Sequence, residues 1–430
     1  MIGFVVVLLL VVGLSTLLWA TVGLGRLALA LARRLAAPPP PRARTGRDAR
    51  RPVHPHEVAV VIAAHNEALV IGRTIASAAA LVPVRNLFVA SDGSSDDTAA
   101  LASAAGANVI EINPNRGKAG AITAAIQHFE LARRFEVVLL LDADTQLSGD
   151  YLATGLPLFA DPDVVAVAGR AESILAPPPP TLLGRLLVAY RERLYVIVQY
   201  LLKYGQAARA ANVVSIVPGF ASMYRTRVLG SIQIDAPGLT IEDFNMTFEI
   251  HAKRLGRIAF HPNRAIAYTQ DPDTFRDYTK QVKRWTLGFW QTVRRHRYRT
   301  SRFWLALGLY IVELLGGSVM MLLAVPLAIG VGVAAVLDAT HSDPSGVSTQ
   351  VVGILPPHAI ALGLIVPDAA LTVFTAFVTR RPAYLLWGLA FPLIRVVDAV
   401  ICLQMLARSF RSGSTGVWVS PERRPVHFAA

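Results

Sequence analysis

Cysteine is nearly absent from this chain of 430 residues, and charged residues are scarce. The single cysteine, Cys402, excludes an internal disulfide framework and a zinc site built on several thiolates. Charged residues make up only 17% of the chain, against about a quarter in a typical soluble protein. Hydrophobic residues make up 53%, and the mean hydropathy is +0.45. This composition excludes both a disordered chain and an ordinary soluble enzyme.

Acidic residues are outnumbered by basic ones. The 29 Asp and Glu against 42 Lys and Arg give a net charge of +13 and a pI of 10.3. Such an excess suits either nucleic acid or an anionic membrane surface. The arginines concentrate beside apolar segments, and the sequence contains no recognised nucleic-acid module, repeat or large number of spans that a transporter would need. We therefore expect a lipid bilayer as partner and no nucleic acid.

The first long apolar run is residues 3–25, which carry no formal charge. As a helix, this run is long enough to cross ~30 Å of hydrocarbon. Seven arginines follow between Arg33 and Arg51, whereas a secretory signal carries its positive charge before the apolar core. The pattern predicts a retained transmembrane helix within residues 1–33 and a basic linker at residues 34–52. The positive-inside rule then places the N-terminus outside the cell.

Apolar character returns in residues 303–408. The candidate spans are residues 303–337, 351–378 and 383–407, so we expect about three helices followed by a tail at residues 409–430. Three spans would place the basic tail outside, against the positive-inside tendency. The last span also contains Arg395 and Asp398, so it either lines the protein interior or lies partly in the membrane interface. The number of spans and the side of the tail stay open.

Residues 53–300 resemble a soluble domain. Short apolar runs alternate with helical segments, which is typical of parallel βαβ units with helices on both faces of the sheet. The predicted strands are residues 58–64, 86–90, 108–112 and 137–141, and the predicted helices are residues 68–80, 98–105 and 119–132. The fold class is therefore α/β, with a Rossmann-like domain lying between transmembrane helices. The positive-inside rule makes this domain cytoplasmic, in a multi-pass protein of the cell (inner or plasma) membrane.

Polar motifs follow every predicted strand, where parallel sheets bind ligands. The motifs are His65-Asn66-Glu67, Ser91–Thr98, Asn113–Lys118 and Asp142-Ala143-Asp144-Thr145. Turn formation and helix capping explain some of these residues. They do not explain two aspartates directly after five apolar strand residues, which suit a divalent metal and a phosphorylated ligand. Lys118 begins a predicted helix, where its charge and the free backbone donors both favour an anion.

The order of these motifs resembles the nucleotide-sugar half of family-2 glycosyltransferases, over residues 53–150. In the acceptor half, residues 151–300, Thr240-Ile241-Glu242-Asp243 resembles the Thr-Glu-Asp motif of that family, with Ile241 in place of the usual threonine. Gln281-Val282-Lys283-Arg284-Trp285 matches the Gln-x-x-Arg-Trp motif of its membrane-embedded polysaccharide synthases. These include cellulose, hyaluronan and poly-N-acetylglucosamine synthases. The resemblance implies the glycosyltransferase A-type fold.

The resemblance also implies a donor site. Asp92 would hold the nucleoside, with uridine the expected base, and Asn66 and Glu67 would lie nearby. Lys118 would lie near the ribose or the diphosphate. Asp142 and Asp144 would bind the nucleotide sugar and its Mg²⁺ or Mn²⁺, with Asp144 the direct metal ligand. The donor is thus expected to be a UDP-sugar.

On the acceptor side, the resemblance assigns the general base to Asp243 and a substrate contact to Glu242. The pair also has a plainer interpretation as the acidic N-terminus of a helix. Gly219 and Phe220 resemble the acceptor-side loop of the family. No histidine metal site is expected, because His65, His251 and His261 lack the spacing of zinc ligands.

The segment that contains Gln281, Arg284 and Trp285 would meet both the diphosphate and the acceptor sugar. Trp285, with Phe289 and Trp290, also fits an aromatic belt at the membrane interface or a stacking platform for a sugar. The predicted activity is inverting transfer of a sugar from the nucleotide donor to a growing polysaccharide. The alternative is non-processive transfer of one sugar to a lipid-linked or other membrane-associated acceptor. Three C-terminal spans form a wide polymer channel only with a second copy of the chain or a partner subunit.

Overall fold

The computed structural model describes residues 13–35 and 51–411. Three predicted features therefore lie outside the described residues, at least in part. They are the first part of the N-terminal span at residues 1–12, most of the basic linker at residues 36–50, and the tail from residue 412.

A seven-stranded sheet forms the centre of the domain predicted at residues 53–300, called the catalytic domain below, in the order β3-β2-β1-β4-β8-β6-β9. Strands β1 to β4 pair in parallel, while β8 runs antiparallel to both β4 and β6. A second sheet of three strands has the order β5-β10-β7. The strands are β1 (Val58–Ala64), β2 (Leu87–Asp92), β3 (Asn108–Ile112), β4 (Val137–Asp142), β5 (Gln146–Leu147), β6 (Val164–Ala168), β7 (Arg170–Ser173), β8 (Ala221–Arg225), β9 (Arg257–Ala259) and β10 (Ile266–Thr269).

Helices cover both faces of the large sheet and continue beyond the domain. They are α1 (Leu14–Leu35), α2 (Ile71–Ala79), α3 (Thr98–Ala104), α4 (Gly117–His128), α5 (Leu131–Arg134), α6 (Tyr151–Gly155), α7 (Leu182–Val196), α8 (Tyr204–Gln206), α9 (Thr226–Leu229), α10 (Asp243–Ala252), α11 (Phe275–His296), α12 (Arg302–Ala339), α13 (Val347–Ile354), α14 (Pro357–Thr379), α15 (Tyr384–Trp387) and α16 (Phe391–Ser409). A π-helical segment, Ile197–Lys203, joins α7 to α8.

The predicted α/β architecture of the first half is confirmed. Every residue of β1 is buried, and successive side chains enter two different hydrophobic clusters, one on each face of the sheet. The third predicted helix differs from expectation, because α4 ends at His128 and α5 begins after Glu130. Glu130 adopts a left-handed backbone conformation with φ 51°, which interrupts the helix.

Helix α7 was not predicted from the sequence. It carries three charged side chains that are almost completely buried: Arg191, Glu192 and Arg193. A buried charge is tolerated only when it is paired. Each of the three has such a partner, and each partner lies far away in the sequence. Arg193 lies 2.7 Å from the Asp368 carboxylate of α14, which also pairs with Arg395 of α16 at 2.8 Å. These ion pairs tie the catalytic domain to the C-terminal helices.

Three described helical segments are long and apolar enough to span a membrane: Leu14–Ala32, Arg302–Leu323 and Tyr384–Ser409. Pro326–Ala339 and Ile365–Thr379 are shorter apolar segments.

Helix α1 runs antiparallel to the first part of α12. The backbone N–H of Ser15 donates to both oxygens of Glu313, at 2.8 and 3.0 Å, and Trp19 shares a cluster with Phe303 near the start of α12. At Gly205 the chain passes so close to α1 that a Cβ would lie 2.0 Å from the Trp19 carbonyl oxygen. The Glu313 carboxylate therefore satisfies a backbone donor at the start of α1.

Helix α16 lies parallel to α11 of the catalytic domain. Near the start of both helices, Tyr278 donates to Asp398 at 2.6 Å. Near their ends, the Arg294 guanidinium lies 4.6 Å from the centre of the Phe410 ring. The polar residue Asp398 thus faces protein, as one of the two sequence interpretations expected.

Candidate active site

The sheet brings the predicted donor motifs to one edge. In β1, Ala63 pairs with Asp142 of β4, and Ala64 pairs with Ser91 of β2, directly before Asp92. Asp92 and Asp142 therefore end the two strands on either side of β1. The carboxyl ends of parallel strands are where α/β folds bind their ligands.

Asp92 is fully buried at the end of β2. Its Oδ1 accepts a hydrogen bond from the backbone N–H of Arg116 at 2.7 Å, whereas its Oδ2 is a buried acceptor without a hydrogen-bond partner in the described protein. Burial raises the pKa of Asp92 although the Arg116 N–H opposes this. A group that donates a hydrogen bond would satisfy Oδ2.

Asn66 and Glu67 hold the neighbouring loop in place. Asn66 adopts φ 54°, and its Oδ1 accepts from the Ser95 N–H at 2.8 Å. Glu67 is buried, and its N–H donates to Thr98 Oγ1 at 2.8 Å. Both predicted residues thus join the loop after β1 to the loop after β2.

Asn115 belongs to the same arrangement and was not singled out from the sequence. Its Nδ2 donates to the Asp92 carbonyl at 3.1 Å, and its Oδ1 accepts from the Gly117 N–H at 2.9 Å. Gly93, with φ +64°, leaves room for it, since a Cβ there would lie 3.1 Å from the Asn115 Cβ.

Lys118 lies between the two halves of the site. Its Nζ is 2.6 Å from Asp142 Oδ1, 2.9 Å from Glu242 Oε1 and 3.5 Å from the Gly219 carbonyl oxygen. Burial opposes the ammonium charge, but the two carboxylates together raise the pKa of Lys118 above its ordinary value. Burial likewise opposes ionisation of Glu242, yet Lys118 lowers its pKa, with a smaller contribution from Arg284.

Asp142 and Asp144 are both half-buried at the end of β4, and Asp144 accepts from its neighbour Thr145 at 3.4 Å. Within residues 13–35 and 51–411, no group of three or more His, Cys, Asp or Glu side chains could hold a metal ion. Asp142 and Asp144 are the two carboxylates here that could hold an ion.

Asp243 is the first residue of α10. Its Oδ1 accepts from the Phe244 N–H at 2.7 Å, and its Oδ2 accepts from the Gly219 N–H at 3.4 Å. Burial, followed by the neighbouring Glu242 charge, raises the pKa of Asp243 to about 6. The adjacent carboxylates have separate surroundings, because Glu242 pairs with Lys118.

Gly219 fits between these charged groups. A Cβ at this position would lie 2.9 Å from Glu242 Oε1 and 3.1 Å from Lys118 Nζ. The carbonyl of Phe220 accepts from the Asp142 N–H at 2.8 Å, which joins the start of β8 to the end of β4. The predicted acceptor loop, Gly219 and Phe220, therefore lies beside Asp142, Glu242 and Asp243.

Helix α11 brings the Gln281–Trp285 motif to the same place. The side chain of Gln281 has a buried Oε1 without a partner in the described protein, and the charge of Arg284 acts on Glu242. The Trp285 ring lies 4.2 Å from the guanidinium carbon of Arg191, a cation–π distance. Arg191 is in turn paired with Asp271 at 3.4 Å and was not identified from the sequence.

The three aromatic residues of α11 divide between two environments. Phe289 and Trp290 are buried in a cluster with side chains of the apolar helices α1, α12 and α16. Trp285 instead faces Arg191 of α7. The helix thus connects the catalytic domain to the apolar helices through one side while it presents Trp285 on another.

His65, His251 and His261, whose spacing does not fit zinc ligands, each contact a different part of the protein. His65 Nδ1 is 2.6 Å from the Asp92 carbonyl, and His251 Nε2 is 2.9 Å from the Val214 carbonyl. The His261 ring packs edge-on against Tyr204.

A cavity of about 240 Å³ lies among α1, α7, α12 and α16. Tyr190, Tyr310, Glu313, Arg395 and Asp398 are among its lining residues. Asp398 accepts from Tyr190 at 2.8 Å. Small-molecule pockets typically have volumes of about 300–1,000 Å³, so the volume of this cavity is smaller than that of an ordinary ligand pocket.

The model of a family described as glycosyltransferase like family 2 matches residues 54–288, more than half of the chain. The chain belongs to this glycosyltransferase family. It is therefore an enzyme that transfers sugars, which confirms the family and the fold class expected from the motifs. No curated protein sequence matches the chain.

Several solved glycosyltransferases resemble this family member at low identity. A mannosyltransferase from Pyrobaculum calidifontis, solved with GDP-mannose and Mn²⁺, is 19% identical, with coverage of 87% of this chain and 99% of that one and a TM-score of 0.47. Mannosyl-3-phosphoglycerate synthase from Rubrobacter xylanophilus is 19% identical, with coverage of 58% and 78% and a TM-score of 0.39. Glucosyl-3-phosphoglycerate synthase from Mycobacterium tuberculosis, solved with Mn²⁺, UDP and its product, is 18% identical, with coverage of 57% and 82% and a TM-score of 0.35. Similarity at this level does not identify the sugar or the acceptor of the present enzyme.

Gly288 of α11 provides a test of how closely the glycosyltransferase site depends on this helix. A Cβ at Gly288 would lie 2.2 Å from Ile241 Cγ1, so Gly288→Ala must displace either Ile241 or the helix. We expect turnover to fall by about 10- to 100-fold, because misplacing a site by about 1 Å has effects of this size. Steady-state assays of donor consumption measure the loss.

Ile241→Ala is the matched second variant, because the Ile241 Cβ would lie at an ordinary 3.4 Å from the added methyl group. The double variant should recover activity relative to Gly288→Ala alone. Independent, multiplying losses in the two single variants would contradict this explanation.

Proposed function

We propose that this enzyme transfers a sugar from a UDP-sugar to a growing polysaccharide at a membrane, with inversion at the anomeric carbon. The arrangement that supports this proposal is the meeting of Lys118, Glu242 and Asp243 around Gly219, next to the end of β4. The Gln281–Trp285 motif supports polymerisation, because it resembles that of the membrane-embedded polysaccharide synthases.

Asp243 is the proposed general base. Its Oδ2 would take the proton of the acceptor hydroxyl while the hydroxyl oxygen attacks the anomeric carbon. The bond between that carbon and the diphosphate oxygen breaks, and the diphosphate leaves with the electron pair. Attack opposite the leaving group in a single displacement accounts for inversion. A carboxylate with a pKa of about 6 suits proton transfer near neutral pH.

Lys118 and Arg284 are the proposed cationic groups for the diphosphate. Lys118 stays protonated beside Asp142 and Glu242, so its charge is available at the site throughout the reaction. Negative charge accumulates on the leaving diphosphate, and preorganised cations stabilise it in the transition state. Glu242 would fix the position of Lys118 rather than accept the proton.

Asp142 and Asp144 are the proposed ligands of Mg²⁺ or Mn²⁺, with Asp144 binding the ion directly. Asp142 also pairs with Lys118, and Asp144 lies two residues further along the same loop, where its Oδ1 accepts from Thr145 at 3.4 Å. Two carboxylates suit an ion that completes its coordination with phosphate oxygens and water. Such an ion supplies Lewis-acid stabilisation of the leaving diphosphate when bound.

Asp92 is the proposed ligand of the uracil base. Its buried, unpartnered Oδ2 supports this role, because an N–H donor of the base would satisfy it. Asn66 and Glu67 would act by holding the loop against which the nucleoside lies.

The proposed location is the cell (inner or plasma) membrane, with the catalytic domain in the cytoplasm. The antiparallel packing of α1 on α12 supports an N-terminal helix that enters from outside and ends beside the domain. Near the end of α16, Met405 shares a cluster with Phe303 at the start of α12. This packing supports an even number of crossings between Arg302 and Ser409, which would place the basic tail on the cytoplasmic side instead of outside.

The alternative function is transfer of one sugar to a lipid-linked or other membrane acceptor. The narrow cavity of about 240 Å³ among the apolar helices favours it, because an extended polysaccharide needs a wider path. Polymerisation by a single copy would require these helices to separate, or a second copy or a partner subunit to complete the channel.

The pH dependence tests the proposed base. Because only the ionised Asp243 can accept a proton, kcat/KM should fall as the pH decreases through about 6. Asp243→Asn should lower turnover by about 10²–10⁴-fold and leave donor binding intact. An acid limb near pH 4, or one that persists unchanged in Asp243→Asn, would show that another group is the base.

Chelation tests the proposed metal. EDTA should abolish turnover, and added Mg²⁺ or Mn²⁺ should restore it. Asp144→Asn should reduce activity by about 100-fold or more, since a Lewis acid contributes several kcal/mol to the transition state. Asp163→Asn is the matched control, because Asp163 is 63% exposed and directly precedes β6 at the opposite edge of the sheet. Full activity in EDTA would remove the metal from the proposal.

Product size distinguishes the two acceptor classes. Purified full-length enzyme in lipid nanodiscs is incubated with radiolabelled UDP-glucose, UDP-N-acetylglucosamine or UDP-glucuronate, and the products are separated by size. A ladder of increasing length is expected for polysaccharide synthesis. A single discrete lipid-extractable product would overturn polymerisation and establish the alternative.

A further inference from the structure

A pocket of about 440 Å³ opens where the catalytic domain meets the ends of the apolar helices. Its walls come from the last turns of α11, the end of α16 and the loop 237–239. Two candidate membrane segments end or begin here, because Tyr384–Ser409 ends at the pocket and Arg302–Leu323 begins six residues after α11. The pocket therefore lies at the level where apolar helix surface gives way to polar protein.

Three arginines line this pocket: Arg294, Arg295 and Arg411. The Arg294 guanidinium stacks on the Phe410 ring, and Arg295 donates to the Gln233 side chain at 2.7 Å. Neither contact neutralises a positive charge, and no carboxylate is among the described residues of the pocket lining. The charge of the pocket is complementary to an anion.

Gln291 adds a buried hydrogen-bond donor to the same pocket. The side chain is 6% exposed, and its Oε1 accepts from both the N–H and the hydroxyl of Thr240, at 2.9 and 2.8 Å. Because the Thr240 N–H can only donate, the amide orientation is fixed. The Nε2 group is then buried without a partner in the described protein, although buried donors are nearly always satisfied. An acceptor oxygen in the pocket would satisfy it.

We propose that this pocket binds the phosphate group of an anionic membrane lipid. Arginine forks and an amide donor are the groups that recognise phosphate oxygens, and a phospholipid presents its phosphate at the depth where the apolar helices end. The inference rests on the membrane association proposed above. It does not depend on which acceptor the enzyme uses, and it places no lipid at the catalytic centre.

The pocket is connected to the active site by a short path. Gln291 holds Thr240, the first residue of the Thr240–Asp243 segment that ends in the proposed base. Thr240 is therefore held by the side-chain amide of a residue that lines the pocket. Occupation by a lipid phosphate would restrain Gln291 and, through it, this segment.

Lipid binding is measured directly on the full-length enzyme in neutral detergent, by native mass spectrometry and by the shift in thermal unfolding. The probes are phosphatidylglycerol, phosphatidylcholine and inorganic phosphate. We expect preferential retention of phosphatidylglycerol. Arg294→Gln combined with Arg295→Gln should weaken it by roughly tenfold or more, because two cations near a membrane surface contribute an effect of this size.

The matched control is Arg297→Gln combined with Arg299→Gln, two exposed arginines of the same basic segment that do not line the pocket. Equal losses in the two double variants would show non-specific attraction and overturn the site. Equal retention of phosphatidylglycerol and phosphatidylcholine would overturn it also, and tighter binding of inorganic phosphate than of lipid would assign the pocket to the free ion.

Gln291→Glu is a second variant that keeps the acceptor for Thr240 and places a carboxylate where the unpartnered donor lies. It should abolish the lipid preference while the protein stays folded, as judged by its unfolding midpoint without lipid. Unchanged lipid preference in a folded Gln291→Glu variant would contradict the proposal. Because these readouts measure binding, their failure would leave the assignment of glycosyl transfer unaffected.

Discussion

The ion pairs of Lys118 are the interaction on which the active site depends. One ammonium group joins Asp142, at the end of a sheet strand, to Glu242, directly before α10. Removing one partner from a partly buried charge cluster leaves an uncompensated charge, so the three groups require one another. The positions of Lys118 and Glu242 also leave no room for a side chain at residue 219, because a Cβ on Gly219 would collide with Glu242. The pKa of Asp243 is raised first by burial and second by the Glu242 charge, which Lys118 holds beside it.

Helix α11 contacts both the apolar helices and the segment that carries Glu242. Gly288 and Gln291 contact the Thr240–Asp243 segment, while Phe289 and Trp290 are buried against α1, α12 and α16. Successive helical residues point in directions about 100° apart, so one short stretch can contact both environments. A change in the packing of the apolar helices would therefore move the Gln281–Trp285 motif relative to Asp243. The catalytic domain and the apolar helices therefore pack against each other through α11.

Four strands of the large sheet could be predicted from the sequence. Three of them, β1, β2 and β4, are buried on both faces and appear as apolar runs. The edge strand β3 also has the predicted bounds, whereas the buried strands β6 and β8 were not predicted. Helix α7 was not predicted because its run of charged residues, Arg191, Glu192 and Arg193, is typical of an exposed helix surface, whereas all three are buried. Their partners, such as Asp368, lie far away in the sequence and are brought close only by the tertiary fold.

The motif residues of the site could likewise be located from the sequence, but their supporting contacts could not. Asp92, Lys118 and Asp243 follow from the family pattern. Asn115 lies within the Asn113–Lys118 motif but received no role from it, and Arg191 belongs to no motif recognised in the sequence. Asn115 nevertheless holds the loop beside Asp92, and Arg191 lies against the ring of Trp285. Such contacts depend on the relative placement of elements, which local patterns do not encode.

Arg395 and Asp398 show how two polar residues can be accommodated in an apolar helix through contacts with protein. Asp398 accepts from Tyr278 of the catalytic domain, and Arg395 pairs with Asp368, so both side chains are satisfied by protein. This is possible because α16 lies along α11 instead of standing alone in hydrocarbon. The same alignment carries the end of α16 to Arg294, beside the last turn of α11.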